Sequence, residues 1–212
     1  MSNPKKIAVM VSGSGSNLQA IMDHPLLQQK LELCGVISNQ PEALALGRAR
    51  DRGIEGIFFS SKKLEYEPLI LKQLGEWQVD LVVLAGFMRV LSQDFIERCP
   101  APLINLHPSL LPAYKGLNTH GRVIESGDRL HGCSVHAVTP ELDDGQLLSQ
   151  SLLAVSSSDT AQTLQTRVQS LEHRLLCDVL IQFAHDRLSF TQDHWQLDGG
   201  HTSLPIRFYD PA

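Results

Sequence analysis

Apolar residues along the chain fall into short unbroken runs separated by stretches of helical spacing. Residues 7–11 form a five-residue run, the pattern of a strand covered on both faces. A small-residue segment, Ser12-Gly13-Ser14-Gly15-Ser16-Asn17, ends it, and residues 18–22 begin a helix. A second strand is predicted over 33–37, then a helix over 42–52 that Gly53 stops. Residues 57–59 read as a short third strand, and Tyr66–Trp77 as a helix carrying Leu69, Leu71, Leu74 and Trp77. A fourth buried strand over 81–85 ends at Gly86, Ser92 caps a helix reaching Cys99, and 103–106 is the fifth strand.

The second half changes character. Strands are predicted over 131–138 and 146–155, joined by the acidic loop 141–145. A long helix follows, capped by Asp159 or a neighbour and running to about His185. Its apolar stripe is Leu164, Val168, Leu171, Leu175, Val179 and Phe183. Weak alternation over 188–197 suggests a terminal hairpin. Alternating strands and helices over the first 106 residues predict an α/β fold: an open, mostly parallel twisted sheet with helices on both faces. No repeat or low-complexity linker divides the 212 residues, so one domain is expected, with halves 1–106 and 107–212.

Composition narrows the function. Net charge is −5 and the basic residues form no run longer than a pair, which argues against a nucleic-acid partner and leaves small anionic substrates open. The four cysteines (Cys34, Cys99, Cys133, Cys177) have no paired spacing, as expected of free thiols in a reducing compartment. Residues 1–6 are polar and lead straight into a strand, and no apolar stretch is long enough to span a bilayer. The expected location is cytoplasmic.

Candidate chemistry gathers at strand ends, where ligands bind in open parallel sheets. Gly13 to Asn17 follows strand one and offers backbone N–H groups at a helix start, an anion cradle or simply a glycine-rich turn. It lacks the third glycine of a dinucleotide fingerprint, since Leu18 stands there, and it has no Gly-Lys-Ser/Thr of a P-loop. Gly86 to Leu91 follows strand four, mixing apolar residues with Arg89. Asn105 and His107 close strand five on the same face, and Pro108 keeps His107 extended. An amide beside an imidazole suits a reaction at a carbonyl, one holding an oxyanion and the other moving a proton. The alternative is a strand end whose histidine is satisfied by a backbone carbonyl. His120, His131 and His136 have no recognised metal-ligand spacing, so no metal is expected. His131 and His136 are expected to be structural.

Asn105-Leu106-His107-Pro108-Ser109-Leu110-Leu111-Pro112, followed by Tyr114, Lys115 and Gly116, resembles the signature of folate-dependent formyltransferases, and the likeness extends over residues 7–188. Within that family the chain is similar to the branch acting on glycinamide ribonucleotide in purine synthesis. The resemblance implies a Rossmann-like formyltransferase fold with a long carboxyl-terminal helix and a short terminal hairpin. It gives residues 1–106 to nucleotide and phosphate binding and 107–212 to folate binding and the catalytic loop. It implies formyl transfer from 10-formyltetrahydrofolate to the ribonucleotide's amine, without a metal, by a monomer or homodimer.

By the same resemblance the catalytic residues are His107, Asn105 and Asp143. Asp143 would raise the imidazole's pKa and keep it cationic when needed, while Asp144 is peripheral. Gly15, Ser16, Asn17 and Glu172 would hold phosphoribosylglycinamide, and His120 would support the loop or the substrate. Lys63, Met88, Arg89, Val90, Leu91, Asn105 and the loop Thr139, Pro140, Glu141, Leu142 and Asp143 would hold the folate. Two rivals stay open: a formyltetrahydrofolate hydrolase, and a non-catalytic folate or nucleotide binder. Methionyl-tRNA formyltransferase shares the Pro-Ser-Leu-Leu-Pro segment but would need an added basic carboxyl-terminal domain.

Overall fold

A computed structural model of the chain describes residues 3–60, 66–191, 194–198 and 207–208. It divides into two compact units. One is residues 1–105 with 138–140; the other is 106–137 with 141–212. The fifth strand belongs partly to each.

The first unit holds β1 (Lys5–Val11), α1 (Ser16–Asp23), α2 (Pro25–Lys30), β2 (Leu31–Ser38), α3 (Leu44–Asp51), β3 (Glu55–Phe58), α4 (Tyr66–Trp77), β4 (Leu81–Leu84), α5 (Gln93–Arg98) and most of β5 (Leu103–His107). Its strands run in the order β5-β4-β1-β2-β3, every neighbour parallel. Ile7, Val9 and Val11 are as fully buried as Ala8 and Met10, so β1 is covered on both faces. Ala8, Met10, Val82, Leu84 and Leu103 pack with Ile70, Leu71 and Leu74 of α4 and Phe95 of α5 in one core cluster. Ser92 caps α5, its Oγ accepting from Phe95 N at 3.1 Å.

The second unit contains α6 (Thr119–Ser126), β6 (Leu130–Ala137), β7 (Leu147–Ala154), α7 (Ala161–Ala184), β8 (Leu188–Thr191), β9 (His194–Leu197) and β10 (Arg207–Phe208). β6 and β7 are antiparallel, β10 runs parallel to β7, and β8 and β9 form the terminal hairpin. α7 packs on β6 and β7 and buries all six residues of its anticipated stripe. Thr160 supplies its cap, in a reciprocal pair with Thr163.

Three details depart from the apolar pattern. α2 was not anticipated: it has six residues and buries only Leu27. α6 was also missed, because its inward face is just Thr119 and Val123, and left-handed Asn118 and Gly127 bracket it. In α4 the buried face is Ile70, Leu71 and Leu74, whereas Leu69 is 48% exposed. Leu74→Ala should therefore cost about 2–5 kcal/mol of unfolding free energy in urea. Leu69→Ala should stay within about 0.5 kcal/mol of the parent.

Candidate active site

In the first unit the strand order reverses between β1 and β4, and the loops leaving their carboxyl ends flank that switch point. Ser12 ties the two loops together. Its N–H donates to Gly86 O at 3.0 Å, and its Oγ accepts from Met88 N at 2.7 Å while donating to Asn39 Oδ1 at 2.5 Å. Gly15 precedes α1 with φ +72°, and a Cβ there would lie 2.6 Å from Ala45 Cβ. Only glycine meets both the left-handed backbone and the close approach to α3. Arg48 of α3 fixes the turn further, Nε donating to Ser14 O at 2.8 Å. The N–H groups of Gly15, Ser16 and Asn17 thus sit at a helix start that favours an anion. A cavity of about 470 Å³ lined by Ser12, Gly13, Ser14, Gln40, Glu42 and Leu44 adjoins them.

After β4, Met88 and Val90 are exposed, whereas Leu91 is buried in the core cluster. Leu91 therefore presents backbone rather than side chain. Arg89 hydrogen-bonds Tyr66, whose hydroxyl pKa is pushed up by burial and by Glu67. Asn105 is half-buried in β5, paired in register with Leu84. Pro140 is exposed and Thr139 half-buried just past Val138, whose N–H donates to Leu103 O at 3.0 Å. Lys63 lies outside the described residues.

The second unit carries the titratable cluster. His107 is the last residue of β5, inside the strand rather than in the turn after it. Its Nε2 is 2.9 Å from Tyr114 O, and because a carbonyl only accepts, Nε2 is the donor. Nδ1 then faces Asp143 Oδ2 at 3.5 Å, both side chains 7% exposed. Asp143 adopts φ +49°, and its Oδ2 accepts from Gly116 N at 2.8 Å. Of the three residues assigned to catalysis, His107 and Asp143 thus meet directly, and Asn105 precedes His107 by two positions on the same strand face.

Burial lowers the pKa of His107, and this outweighs the Tyr114 carbonyl and Asp143, which both raise it. Asp143 thus acts on His107 in the anticipated direction, but desolvation is the larger effect. Burial would raise Asp143, yet His136, the Gly116 N–H and His107 together hold it below the ordinary carboxylate value.

Buried polar residues of β6 and β7 pin the segment after His107. Ser134 Oγ donates to Ser109 O at 2.6 Å and accepts from Leu111 N at 3.1 Å, and Gln150 Nε2 donates to Leu111 O at 3.0 Å. Arg122 of α6 donates to Lys115 O at 2.7 Å and lies over the Tyr114 ring. These bonds set where Tyr114 O and Gly116 N stand.

The sequence reading missed one member of this cluster. His136, taken there as structural, places Nε2 3.6 Å from Asp143 Oδ1. A bulge falls at this residue: Val135 pairs with Ser149 but His136 with Leu147, leaving Leu148 as an extra residue in β7. Bulges re-aim side chains and recur beside active sites, but a single sequence carries no signal for this one.

The remaining candidates lie around these groups. His120 Nδ1 and His131 Nε2 are 2.9 Å apart, and burial lowers both, His131 to about 4 with further repulsion from His120. Asp144 is exposed and pairs with Lys115, and Glu141 and Leu142 are also exposed. Glu172 is half-buried on α7 and, after burial itself, helps push the Cys133 thiol up. All four cysteines are free. Among the described residues no group of three or more His, Cys, Asp or Glu could hold a metal, and no helix is long and apolar enough to cross a membrane.

Two outcomes follow for stability. Gly15→Ala should cost at least about 1–2 kcal/mol from the left-handed backbone alone, whereas Gly13→Ala, whose Cβ meets nothing within 4 Å, should be nearly silent by denaturant unfolding. A folded His131 near pKa 4 refuses a proton that the unfolded chain accepts below about 6.5. Its contribution is whole above that value and fades as pH falls towards 4, on the order of 3 kcal/mol across the window. Denaturation at pH 7 and pH 4.5 should show His131→Gln with a smaller acid loss than the parent.

The formyl transferase family model matches residues 5–180. The chain is 41% identical over 199 residues to phosphoribosylglycinamide formyltransferase of Escherichia coli, covering 91% of this chain and 93% of that one. It is 38% identical to the human trifunctional purine biosynthetic protein adenosine-3 over 177 residues, 80% of this chain and 17% of that longer protein. Among solved structures, phosphoribosylglycinamide formyltransferase of Coxiella burnetii, in complex with CHES, superposes with TM-score 0.86 at 40% identity, covering 96% of this chain and all of that one. The matched stretch begins with β1 and ends within α7, so it takes in both the glycine turn and the histidine–aspartate cluster: this chain belongs to the formyl transferase family.

Proposed function

We propose that the protein transfers the formyl group of 10-formyltetrahydrofolate to the amine of phosphoribosylglycinamide, giving formylglycinamide ribonucleotide and tetrahydrofolate in purine biosynthesis. The observation that carries this reading is the buried His107–Asp143 pair at the end of β5, with the Asn105 amide two residues before it. The relatives bearing the phosphoribosylglycinamide formyltransferase name match almost the whole chain.

The substrate amine resembles an α-amino group of pKa about 7.7–8.0. Its nitrogen attacks the formyl carbon, and the carbonyl oxygen becomes an oxyanion that Asn105 stabilises by donating its amide N–H. His107, its pKa depressed by burial, is ready to accept the proton the amine loses. The imidazolium then formed is steadied by Asp143 and returns the proton to N10 as the bond between the formyl carbon and N10 breaks. One proton moves from amine to N10, and the enzyme is restored.

We assign the ribonucleotide's phosphate to the N–H groups of Gly15, Ser16 and Asn17, and assign Glu172 to the same substrate on the resemblance alone. The folate is assigned to Met88, Arg89, Val90, the Leu91 backbone, Asn105 and the 139–143 loop. Support for the phosphate assignment is the helix start at Gly15; support for the folate wall is the exposed apolar pair Met88 and Val90. Lys63 is assigned to the folate on the resemblance alone. Residues 1–212 are taken as one catalytic domain because β5 is shared by both compact units. The enzyme is placed in the cytoplasm, acting on small molecules as a monomer or homodimer without a nucleic-acid partner.

The deciding assay follows tetrahydrofolate release from 10-formyltetrahydrofolate with and without phosphoribosylglycinamide. Release that requires the ribonucleotide is expected. Release without it would identify a hydrolase, and saturable binding with no release a binder. His107→Ala should lower kcat by about 10²–10⁴ and Asn105→Ala by about 10²–10³, with folate affinity kept. Near-normal turnover in either variant would remove the role given to that residue.

A further inference from the structure

The two imidazoles flanking Asp143 are constrained in the same way. His107 Nε2 lies 2.9 Å from the Tyr114 carbonyl, and His136 Nδ1 lies 2.8 Å from the Ala137 carbonyl. A carbonyl cannot donate, so each ring commits a proton there. A neutral imidazole has only one. Its other nitrogen, Nδ1 of His107 and Nε2 of His136, then carries a bare lone pair. Those two nitrogens face the two oxygens of one carboxylate, at 3.5 and 3.6 Å. With both rings neutral and Asp143 ionised, two lone pairs would oppose a carboxylate that is 7% exposed, beside a His136 side chain only 3% exposed. Such an arrangement is repulsive where little water can screen it.

We propose that His136 and Asp143 hold one resident proton between them, so that His136 is a positioning residue that keeps the carboxylate in place while His107 gains and loses its own proton. The inference builds on the formyl-transfer reading for its kinetic consequence only; the resident proton follows from the donor and acceptor geometry.

His107 is the shuttling ring because other positive groups act on it. His136 and Arg122 of α6 both oppose its protonation, and the field of His107 in turn reaches His120 and His131. Asp143 faces His107 from β5, His136 from β6 and the Gly116 N–H from the pinned segment, while Lys115 is engaged by Asp144. The bulge at His136 is the backbone device that brings the second ring to the carboxylate. The balance of the transfer is unchanged: the amine's proton passes through His107 to N10, and the His136–Asp143 proton is neither consumed nor released.

Two measurements test this. In protein labelled with ¹⁵N-histidine, His136 Nε2 should resonate as a proton-bearing or proton-sharing nitrogen at pH 7, while His107 keeps one bare ring nitrogen. A bare His136 Nε2 at that pH would overturn the proposal, and the reading needs no active enzyme and no variant. In His136→Gln, whose amide can still donate to Asp143 but cannot take up a proton, His107 should titrate at higher pH, by on the order of one unit. The acid limb of kcat, where a protonated His107 can no longer take the amine's proton, should move up with it. A His136 that served packing alone would lower kcat equally at every pH and leave the limb in place, which also overturns the proposal. A parent enzyme that transfers no formyl group would end the functional reading while leaving the ¹⁵N result to decide the proton.

Discussion

A carboxylate that is 7% exposed has to be answered by polar groups, and those meeting Asp143 come from separate segments: His107 on β5, His136 on β6, and the Gly116 N–H on the loop between β5 and α6. Much of the second unit serves to bring them together. β5 delivers His107 at its last position, and the bulge between β6 and β7 delivers His136. Ser134 and Gln150, polar residues buried on those same strands, spend their hydrogen bonds on Ser109 and Leu111. That fixes a loop which would otherwise be free to carry Tyr114 O and Gly116 N away. Polar groups in a core are costly unless satisfied, and here each satisfied pair also places a donor or acceptor for the cluster.

Burial and charge pull His107 in opposite directions, and the outcome decides its chemistry. An ion pair with Asp143 would, alone, hold the ring as a cation. Desolvation at this depth is larger, so the free ring is easier to deprotonate than an ordinary histidine. An amine nucleophile must shed a proton, and a ring already cationic could not take it. The neighbouring carboxylate matters at the next moment, when the ring has become charged and needs a counter-ion. A buried imidazole–carboxylate pair therefore works as a base first and an acid second.

What the chain disclosed in advance follows from how local each feature is. β1 and β4 were readable as continuous apolar runs, β2 and β5 as largely apolar ones and β3 only from its Ile57-Phe58 end, and α7 was readable because its stripe runs from Leu164 to Phe183. Asn105 and His107 stood out as candidates in the strand-five motif, and the approach of Asp143 to His107 was expected from the resemblance alone. α6 was not, since two inward residues make no periodic stripe, and the phase of α4 was misjudged because Leu69, Ile70 and Leu71 are all apolar and only packing chooses among them. His136 is the instructive miss. Its neighbours from His131 to Val135 are all buried, so the sequence around it looks like plain core strand. Its meeting with Asp143 depends on a bulge whose extra residue, Leu148, lies on the partner strand. Nothing within a few positions of His136 encodes that.

Asp143 and Asp144 show most sharply how environment, rather than residue type, distributes roles. They are adjacent and chemically identical, yet one side chain is 7% exposed and the other 56%. The left-handed turn at Asp143, a conformation Asp tolerates better than most side chains, accompanies the split. Inward, the carboxylate meets two imidazoles and a backbone N–H in surroundings that strengthen every interaction. Outward, Asp144 meets the Lys115 ammonium, an exposed pair that contributes about 0–1 kcal/mol. Exchanging the two exposures would leave the sequence composition untouched and put the exposed carboxylate where the imidazoles need a buried one. The left-handed turn at Asp143 is thus as much a part of the site as the side chains around it.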